Sequence, residues 1–214
     1  SLSATDNNKT VITIFRIAAR QNEPDSQTVE QAQRIAIDEI NNNPHLLTDY
    51  QLILEIWESG FDDETALEHA IAMSQQYSSC ADYKSSKISP IALGCPRSAF
   101  AVLTSRVFNI YHMIQISATA TSPALSEKQK YRSFFRTIAN DDIQGKALVD
   151  LCKQFGWTRI GVIYQNDNYG QNFNRVVQEH AETAGISVHS KSLFEGDLDS
   201  ITKAADFIKD VQNE

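Results

Sequence analysis

The feature of this sequence that most constrains its fold is a regular alternation of short apolar runs with longer amphipathic segments. Residues 11–18 form an almost continuous apolar run, which is typical of a strand buried on both faces. The next segment begins near Ser26, carries Val29, Ala32, Ala36 and Ile40 on one helical stripe, and ends at Asn41-Asn42-Asn43-Pro44. The same alternation predicts strands at residues 51–57, 88–93, 113–117, 133–138, 158–164 and 186–193, and helices at residues 62–77, 98–111, 141–155, 169–184 and 198–211. Such an alternation gives parallel sheets with crossover helices, so the sequence predicts an α/β fold.

The longest stretch without predicted structure, residues 119–132, is rich in Ser, Thr and Lys. A length of 214 residues suits one large domain or two small ones. We therefore predict two α/β units, residues 1–137 and 138–214, joined near this stretch. The alternation calls for another strand after the last helix, so we expect the second unit to be incomplete within these residues.

Charge and composition restrict the classes of partner. The chain has 19 Lys and Arg against 27 Asp and Glu, a net charge of −8, and no window gathers the basic residues into a patch. This balance argues against nucleic acid as a partner. The most apolar run, residues 11–19, contains Thr13 and Arg16 and is too short to cross a bilayer. Any attachment to a membrane is therefore expected to come from segments outside this sequence.

The cysteines and one glycosylation triplet bear on the cellular location. Cys80 and Cys95 flank a short polar segment and could form a small disulfide loop, although two free thiols would look the same in the sequence. Cys152 falls in a helical pattern and is most simply a small buried residue. Asn8 begins an Asn-Lys-Thr glycosylation acceptor. Together these features favour an exported protein.

Motifs of enzyme chemistry are absent from the sequence. The eight glycines include no G-x-G pair, the five histidines are far apart, and no serine lies in a G-x-S-x-G motif. We therefore predict a binding protein with no cofactor and no metal site, and an α/β enzyme is the alternative from a different class.

Polar residues at the predicted carboxyl ends of the strands are the candidates for binding, because open α/β sheets bind ligands there. Ser98, at the start of a helix, could bind a carboxylate together with the helix amides, but by itself it is most simply an N-cap. The hydroxyls of residues 117–122 follow the next strand. Asp141 could cap a helix or bind a cation, and Tyr169 could place its ring over an ammonium group. An anion site and a cation site together fit an α-amino acid.

Four segments of the sequence also resemble those of a known family: Gln115-Ile-Ser-Ala-Thr-Ala-Thr-Ser-Pro-Ala-Leu-Ser126, Phe134-Phe-Arg-Thr137, Phe155-Gly-Trp-Thr158 and Asn168-Tyr-Gly170. From Val11 to about Phe194 the chain resembles the type I periplasmic binding proteins, and in particular the extracellular domains of class C G-protein-coupled receptors, such as metabotropic glutamate and GABA-B receptors. The resemblance implies a bilobed α/β clamshell that closes on its ligand, in an extracellular or periplasmic location.

The resemblance also implies roles for individual residues. Ser98 and Thr121 fall where the family binds the α-carboxylate of an amino acid, and Thr119 falls on a residue that helps to bind its backbone. Asp141 falls on the residue that contacts the α-ammonium, and Tyr169 falls on the aromatic residue of the second lobe. Residues 19–28 have no clear counterpart of the arginine that binds the distal carboxylate in glutamate receptors, since Arg20 is out of register. The resemblance therefore leaves side-chain selectivity open.

The family further implies a homodimer through the helices at residues 62–77 and 98–111. Phe100, Leu103 and Phe108 could serve this contact if they are not part of the core. We expect an extracellular sensor domain for an amino acid or a related small zwitterion. The alternative is the solute-binding protein of a bacterial amino-acid importer, which would have the same fold and pocket.

Overall fold

The computed structural model describes residues 9–19, 24–60, 62–78, 88–194 and 198–213. Within them it confirms an α/β fold with parallel strands and flanking helices. The strands are β1 (Thr10–Ala18), β2 (Tyr50–Glu58), β3 (Ile88–Leu93), β4 (Ile114–Ser117), β5 (Phe134–Arg136), β6 (Arg159–Gln165) and β7 (Ser187–Leu193). The helices are α1 (Pro24–Asn42), α2 (Asp63–Ser78), α3 (Ser98–Ile110), α4 (Asp141–Gln154), α5 (Asn168–Ala184) and α6 (Leu198–Asn213). A short 3-10 helix, Pro123–Ser126, lies in the stretch that the sequence left without structure.

The chain divides into two compact units. The first unit comprises Ser1–Thr119 and Lys128–Thr137, and the second comprises Ala120–Glu127 and Ile138–Glu214. The sequence assigned residues 120–127 to the first unit, whereas in the structure they group with the second. Thr121 therefore belongs to the same unit as Asp141 and Tyr169.

The first unit is built on a five-stranded parallel sheet in the order β2-β1-β3-β4-β5. The carboxyl half of β1 is the most buried part of that strand, with Phe15 and Ile17 in the core. Phe108 of α3 and Met73 of α2 are also fully buried. Apolar burial of this kind is the main force that holds helices against a sheet. The loops after β1, β3 and β4 leave this core at the carboxyl ends of their strands.

The second unit contains a parallel pair, β6 and β7, in register from Arg159 opposite Ser187 to Gln165 opposite Leu193. Helices α4 and α5 form a core against it through Val149, Cys152, Val177 and Ala181, and Ile186, just before β7, completes this core. The prediction that Cys152 is a buried small residue is therefore confirmed. Helix α5 ends at Ala184, as the sequence predicted, and its C-cap Gly185 has a φ of 71°, the left-handed conformation that favours glycine.

The buried face of α1 differs from the sequence prediction, and the buried face of α3 decides an alternative that the sequence left open. In α1, Ala32 and Ala36 are exposed, and the inward stripe instead includes the polar residues Ser26, Glu30 and Gln33. In α3, Phe100 and Phe108 are buried in the core, so they are not available for a dimer contact. Leu103 is half-buried.

The structure corrects the suggestion of a disulfide between Cys80 and Cys95. Cys95 is a free, buried thiol, so it does not form the bridge to Cys80 that the sequence allowed. Cys80 and the glycosylation acceptor Asn8 lie outside the described residues. Across the described ranges no helix has the length and apolarity needed to cross a membrane. The same ranges contain no group of three or more side chains suited to holding a metal ion.

Candidate functional site

The loop between β3 and α3, residues 94–97, is the centre of the candidate site in the first unit. Gly94 has a φ of +106°, and a Cβ atom there would lie 2.3 Å from the carbonyl oxygen of Ile17. Its amide donates to the carbonyl of Ile116 at 2.9 Å. Only glycine allows this approach, which fixes the start of the loop between β1 and β4.

A buried polar network supports the same loop from below. Nε2 of Gln115 donates to the carbonyl of Gly94 at 3.0 Å and to Oγ1 of Thr104 at 2.9 Å, and Oε1 of Gln115 accepts from the Ser105 hydroxyl. The Cys95 thiol lies 3.3 Å from Oγ1 of Thr104, and burial raises its pKa to about 12. Cys95 is therefore an unreactive part of the core and not a nucleophile.

Ser98 and Thr119 lie at this loop, as the sequence predicted for neighbouring strand ends. Ser98 is 3% exposed and is the first residue of α3, whereas Arg97 occupies the N-cap position. The simpler interpretation of Ser98 as the N-cap is therefore wrong. Oγ1 of Thr119 donates to the carbonyl of Pro96 at 2.9 Å, and Oγ of Ser117 donates to the carbonyl of Cys95 at 2.9 Å. The Ser98 hydroxyl therefore lies at the positive, N-terminal end of α3. The loop before it is held by the hydrogen bonds from Thr119 and Ser117.

The second unit brings together the other three predicted residues. The amide of Asp141 donates to the carbonyl of Thr121 at 3.0 Å, and both side chains are buried. Asp141 is the first residue of α4, after the N-cap Asn140. A carboxylate at this position is stabilised by the helix dipole.

Tyr169 lies in the first turn of α5 and is 40% exposed. Its ring stacks on Phe173 with the centroids 6.2 Å apart. Burial raises the pKa of the Tyr169 hydroxyl, and the nearby carboxylates of Asp141 and Asp167 raise it further. The phenol therefore stays neutral at physiological pH. An exposed aromatic face beside negative carboxylates is an environment suited to an ammonium group.

Close packing sets the position of Tyr169. Asp167 caps α5 by accepting a hydrogen bond from the amide of Gly170 at 2.7 Å. A Cβ atom on Gly170 would lie 2.0 Å from the carbonyl oxygen of Gln165, so only glycine allows the helix to begin this close to the end of β6. The close packing of Gly170, the next residue, on Gln165 therefore fixes the position of Tyr169.

The first unit also contains a cavity of about 640 Å³ at the carboxyl ends of β1, β3 and β4. Arg16 of β1 lines it and is 5% exposed. Nη2 of Arg16 donates to the carbonyl of Ser26 at 3.2 Å, and Nη1 lies 3.7 Å from Oε2 of Glu30. Burial lowers the pKa of the Arg16 guanidinium, while the charge of Glu30 acts in the opposite direction. By its sequence context Arg16 is only a polar interruption of an apolar run, although one arginine inside a buried strand is itself an unusual signal.

The chain has parallel α/β strands with polar loops at their carboxyl ends, and in the first unit a cavity of this size lies beside these loops. These features define a protein that binds small molecules. The model of a family described as the receptor family ligand binding region matches residues 28–214, and the chain belongs to this family. Membership confirms the resemblance to receptor extracellular domains and the extracellular location.

Receptors of class C are among the chain's relatives. The chain is 28% identical over 173 residues to the extracellular calcium-sensing receptor of Sus scrofa, covering 76% of the chain and 16% of that receptor. It is 26% identical over 168 residues to taste receptor type 1 member 3 of Canis lupus familiaris, covering 76% of the chain and 20% of that receptor. It is 30% identical over 169 residues to G-protein coupled receptor family C group 6 member A of Carassius auratus, covering 76% of the chain and 19% of that receptor. These relatives are receptors and not enzymes, and the matched region spans a fifth of their length or less.

Proposed function

We propose that this ligand-binding domain recognises an amino acid or a related small zwitterion. In this proposal Ser98 and Thr121 bind the α-carboxylate and Thr119 contributes a further hydrogen bond. Asp141 and Tyr169 bind the α-ammonium group. The observation that carries the proposal is the presence of complementary chemistry in the two units. The first unit has the buried hydroxyl of Ser98 at a helix N-terminus. The second unit has the buried carboxylate of Asp141, whose charge raises the pKa of the exposed Tyr169.

The two units would act as the lobes of a clamshell. A ligand that has more contacts in the closed arrangement than in the open one shifts the population towards closure, by an amount set by its differential affinity. Closure would then be transmitted to the rest of a receptor. A solute-binding protein of an importer would use the same chemistry, but the relatives named above are receptors and do not favour it.

A thermal-shift screen of the full-length protein that contains this sequence tests the proposal. The screen uses the standard amino acids and γ-aminobutyrate, and a ligand at a hundred times its Kd stabilises the folded state by about 2.7 kcal/mol. We expect Ser98→Ala and Thr121→Val to abolish the shift. Thr183→Val is the matched control, because Thr183 is exposed on α5 and its hydroxyl donates to the carbonyl of Glu179 within the same helix. The absence of any shift in the wild type, or a shift that persists in both site variants, would contradict the proposal.

We further propose a homodimer through α2 and α3. With Phe100 and Phe108 in the core, Ile71 of α2 and Ile110 of α3 are the exposed apolar residues of these helices, at 37% and 72% exposure. An Ile110→Glu substitution should weaken the dimer at least tenfold in sedimentation velocity. A wild-type protein that stays monomeric at micromolar concentration would refute the dimer but not the ligand site.

A further inference from the structure

A shallow depression on the surface of the first unit is lined by basic side chains from two segments that are distant in the sequence. Its volume is about 350 Å³, and its lining residues are Arg106, Asn109 and Ile110 of α3 and Gln129, Lys130 and Arg132 of the segment before β5. All six belong to the first unit. Three of them are basic and none is acidic. The tertiary structure therefore creates a local positive surface on a chain whose net charge is −8.

The basic residues of this depression differ from other exposed basic residues in their ion pairing. Elsewhere on the surface, basic side chains pair with carboxylates of their own helices: Lys146 with Asp150, Arg175 with Glu179, and Lys203 with Asp199. Among the described residues, neither Arg106 nor Arg132 forms an ion pair with a carboxylate. Both side chains are exposed. Like charges that line one depression repel each other, and a bound anion would remove this repulsion.

Hydrogen bonds from Asn109 join the two sides of the depression. Nδ2 of Asn109 donates to the carbonyl of Lys130 at 2.7 Å, and its Oδ1 accepts from the amide of Ser133 at 3.1 Å. Nη2 of Arg132 donates to the carbonyl of Asn109 at 3.1 Å. Tyr131, at 4% exposure, anchors the segment between the two exposed basic residues. The backbone of this segment is therefore fixed against α3 before any ligand binds, which lowers the entropic cost of binding.

The side chains around the depression are suited to an oxyanion carried on a sugar ring. A guanidinium group can donate two parallel hydrogen bonds to one oxyanion, and an ammonium group adds a compact point charge. Ile110, at 72% exposure, offers an apolar surface to the C–H face of the ring. The depression is open to solvent, so a long polymer can lie across it without threading into the protein.

We propose that this depression binds the sulfate groups of an extracellular sulfated polysaccharide of the heparin type, through Arg106, Lys130 and Arg132. Clusters of basic residues on a surface are typical of heparin-binding proteins. The extracellular location favours this ligand, because sulfated polysaccharides are abundant polyanions outside the cell. Binding would hold the domain against the cell surface or the surrounding matrix. The proposal goes beyond the zwitterion site, since it requires neither Ser98 nor Asp141.

Fluorescence anisotropy of a labelled heparin octasaccharide, titrated with the full-length protein at an ionic strength of about 0.15 M, tests the inference. We expect micromolar binding that weakens as the salt concentration is raised. A hyaluronan octasaccharide, which has carboxylates but no sulfates, should bind at least tenfold more weakly. Equal affinity for the two saccharides, or no binding of the heparin octasaccharide, overturns the inference. Tighter binding of a decaglutamate peptide than of the heparin octasaccharide also overturns it and assigns the surface to an acidic peptide.

Two triple variants with the same change in net charge test the assigned residues. The site variant Arg106→Gln/Lys130→Gln/Arg132→Gln should weaken octasaccharide binding at least tenfold. The matched control Lys146→Gln/Arg175→Gln/Lys203→Gln changes three exposed residues of the second unit and should bind within twofold of the wild type. An equal loss in both variants shows an effect of net charge alone and overturns the inference.

A smaller variant keeps the inference testable if the site variant does not fold. Arg106→Gln/Lys130→Gln retains the hydrogen bond from Arg132 to the carbonyl of Asn109. It should weaken octasaccharide binding at least threefold, and unchanged affinity overturns the inference.

Ile110 lines this depression and is also part of the proposed dimer contact, so sedimentation velocity without polysaccharide accompanies the titrations. A site variant that loses octasaccharide binding and keeps the dimer population of the wild type supports the inference. A loss of binding that accompanies loss of the dimer assigns the effect to assembly and overturns the inference. Either result leaves the zwitterion proposal unchanged, because the thermal-shift screen that tests it uses different ligands and variants.

Discussion

Gln115 is the residue whose replacement should most clearly reveal how the candidate site is supported. In a Gln115→Leu variant the carbonyl of Gly94 loses its donor and the Ser105 hydroxyl loses its acceptor, and both lie in a buried network. Thr104 keeps its own bond to the carbonyl of Phe100 at 2.9 Å. Two orphaned buried groups cost about 2–6 kcal/mol, and the added apolar surface of leucine offsets about 1–2 kcal/mol of this. We therefore expect a net loss of about 1–4 kcal/mol in the free energy of unfolding of the first unit.

Urea unfolding followed by tryptophan fluorescence measures this loss. Trp57 belongs to the first unit and packs against Phe15, with the ring centroids 6.1 Å apart. A Trp157→Phe background removes the other tryptophan of the chain. Gln31→Leu is the matched control, since Gln31 is exposed on α1 of the first unit. A loss below about 0.5 kcal/mol, the usual limit for surface substitutions, would refute the view that this network holds the loop. So would an equal loss in the control.

Three further predictions follow from single residues. Gly170→Ala should destabilise the second unit by more than about 2 kcal/mol in chemical denaturation, because its Cβ would overlap the backbone of Gln165; a neutral effect would contradict the packing. Cys95 should resist iodoacetamide at pH 8 in the folded protein, since burial raises its pKa to about 12. After unfolding without reductant, peptide mass spectrometry should find Cys95 alkylated. An unalkylated Cys95 in the unfolded protein would indicate a bridge to Cys80. Burial lowers the pKa of His69, because the folded state favours the neutral imidazole. The folded protein should therefore be at full stability above about pH 6.5 and should lose stability as the pH falls below that value and His69 becomes protonated. His69→Gln should flatten that part of the stability–pH curve, and an unchanged curve would refute the assignment.

Much of the candidate site could be predicted because it lies at strand ends. Ser98, Thr119 and Asp141 each follow a strand that hydrophobic period alone identifies, and parallel strands expose their carboxyl ends on one edge. The sequence also predicted helices that begin at Ser98 and Asp141, but it could not assign the caps of these helices. Arg97 and Asn140 take the N-cap positions, so Ser98 and Asp141 each move one residue into their helices.

Arg16 shows what sequence patterns could not provide. The interaction of Arg16 with Glu30 joins β1 to α1, and its chemistry depends on which face of α1 turns inward. The helix has two competing apolar stripes, one with Ala32 and Ala36 and another with Ile37, and only packing against the sheet, chiefly against β2, selects between them. That selection places Glu30 and Gln33 inward and creates the polar end of the cavity.

The sequence by itself determined the α/β class, the order of the thirteen strands and α-helices seen in the described residues, and the polar residues at the strand ends. These follow from local periodicity, which each segment carries regardless of its neighbours. Only the tertiary structure decided which helix faces are buried, that residues 120–127 join the second unit, and that Cys95 is a free core thiol beneath the loop. Each of these depends on contacts between segments distant in the chain, where burial and hydrogen bonding and not local propensity set the free energy.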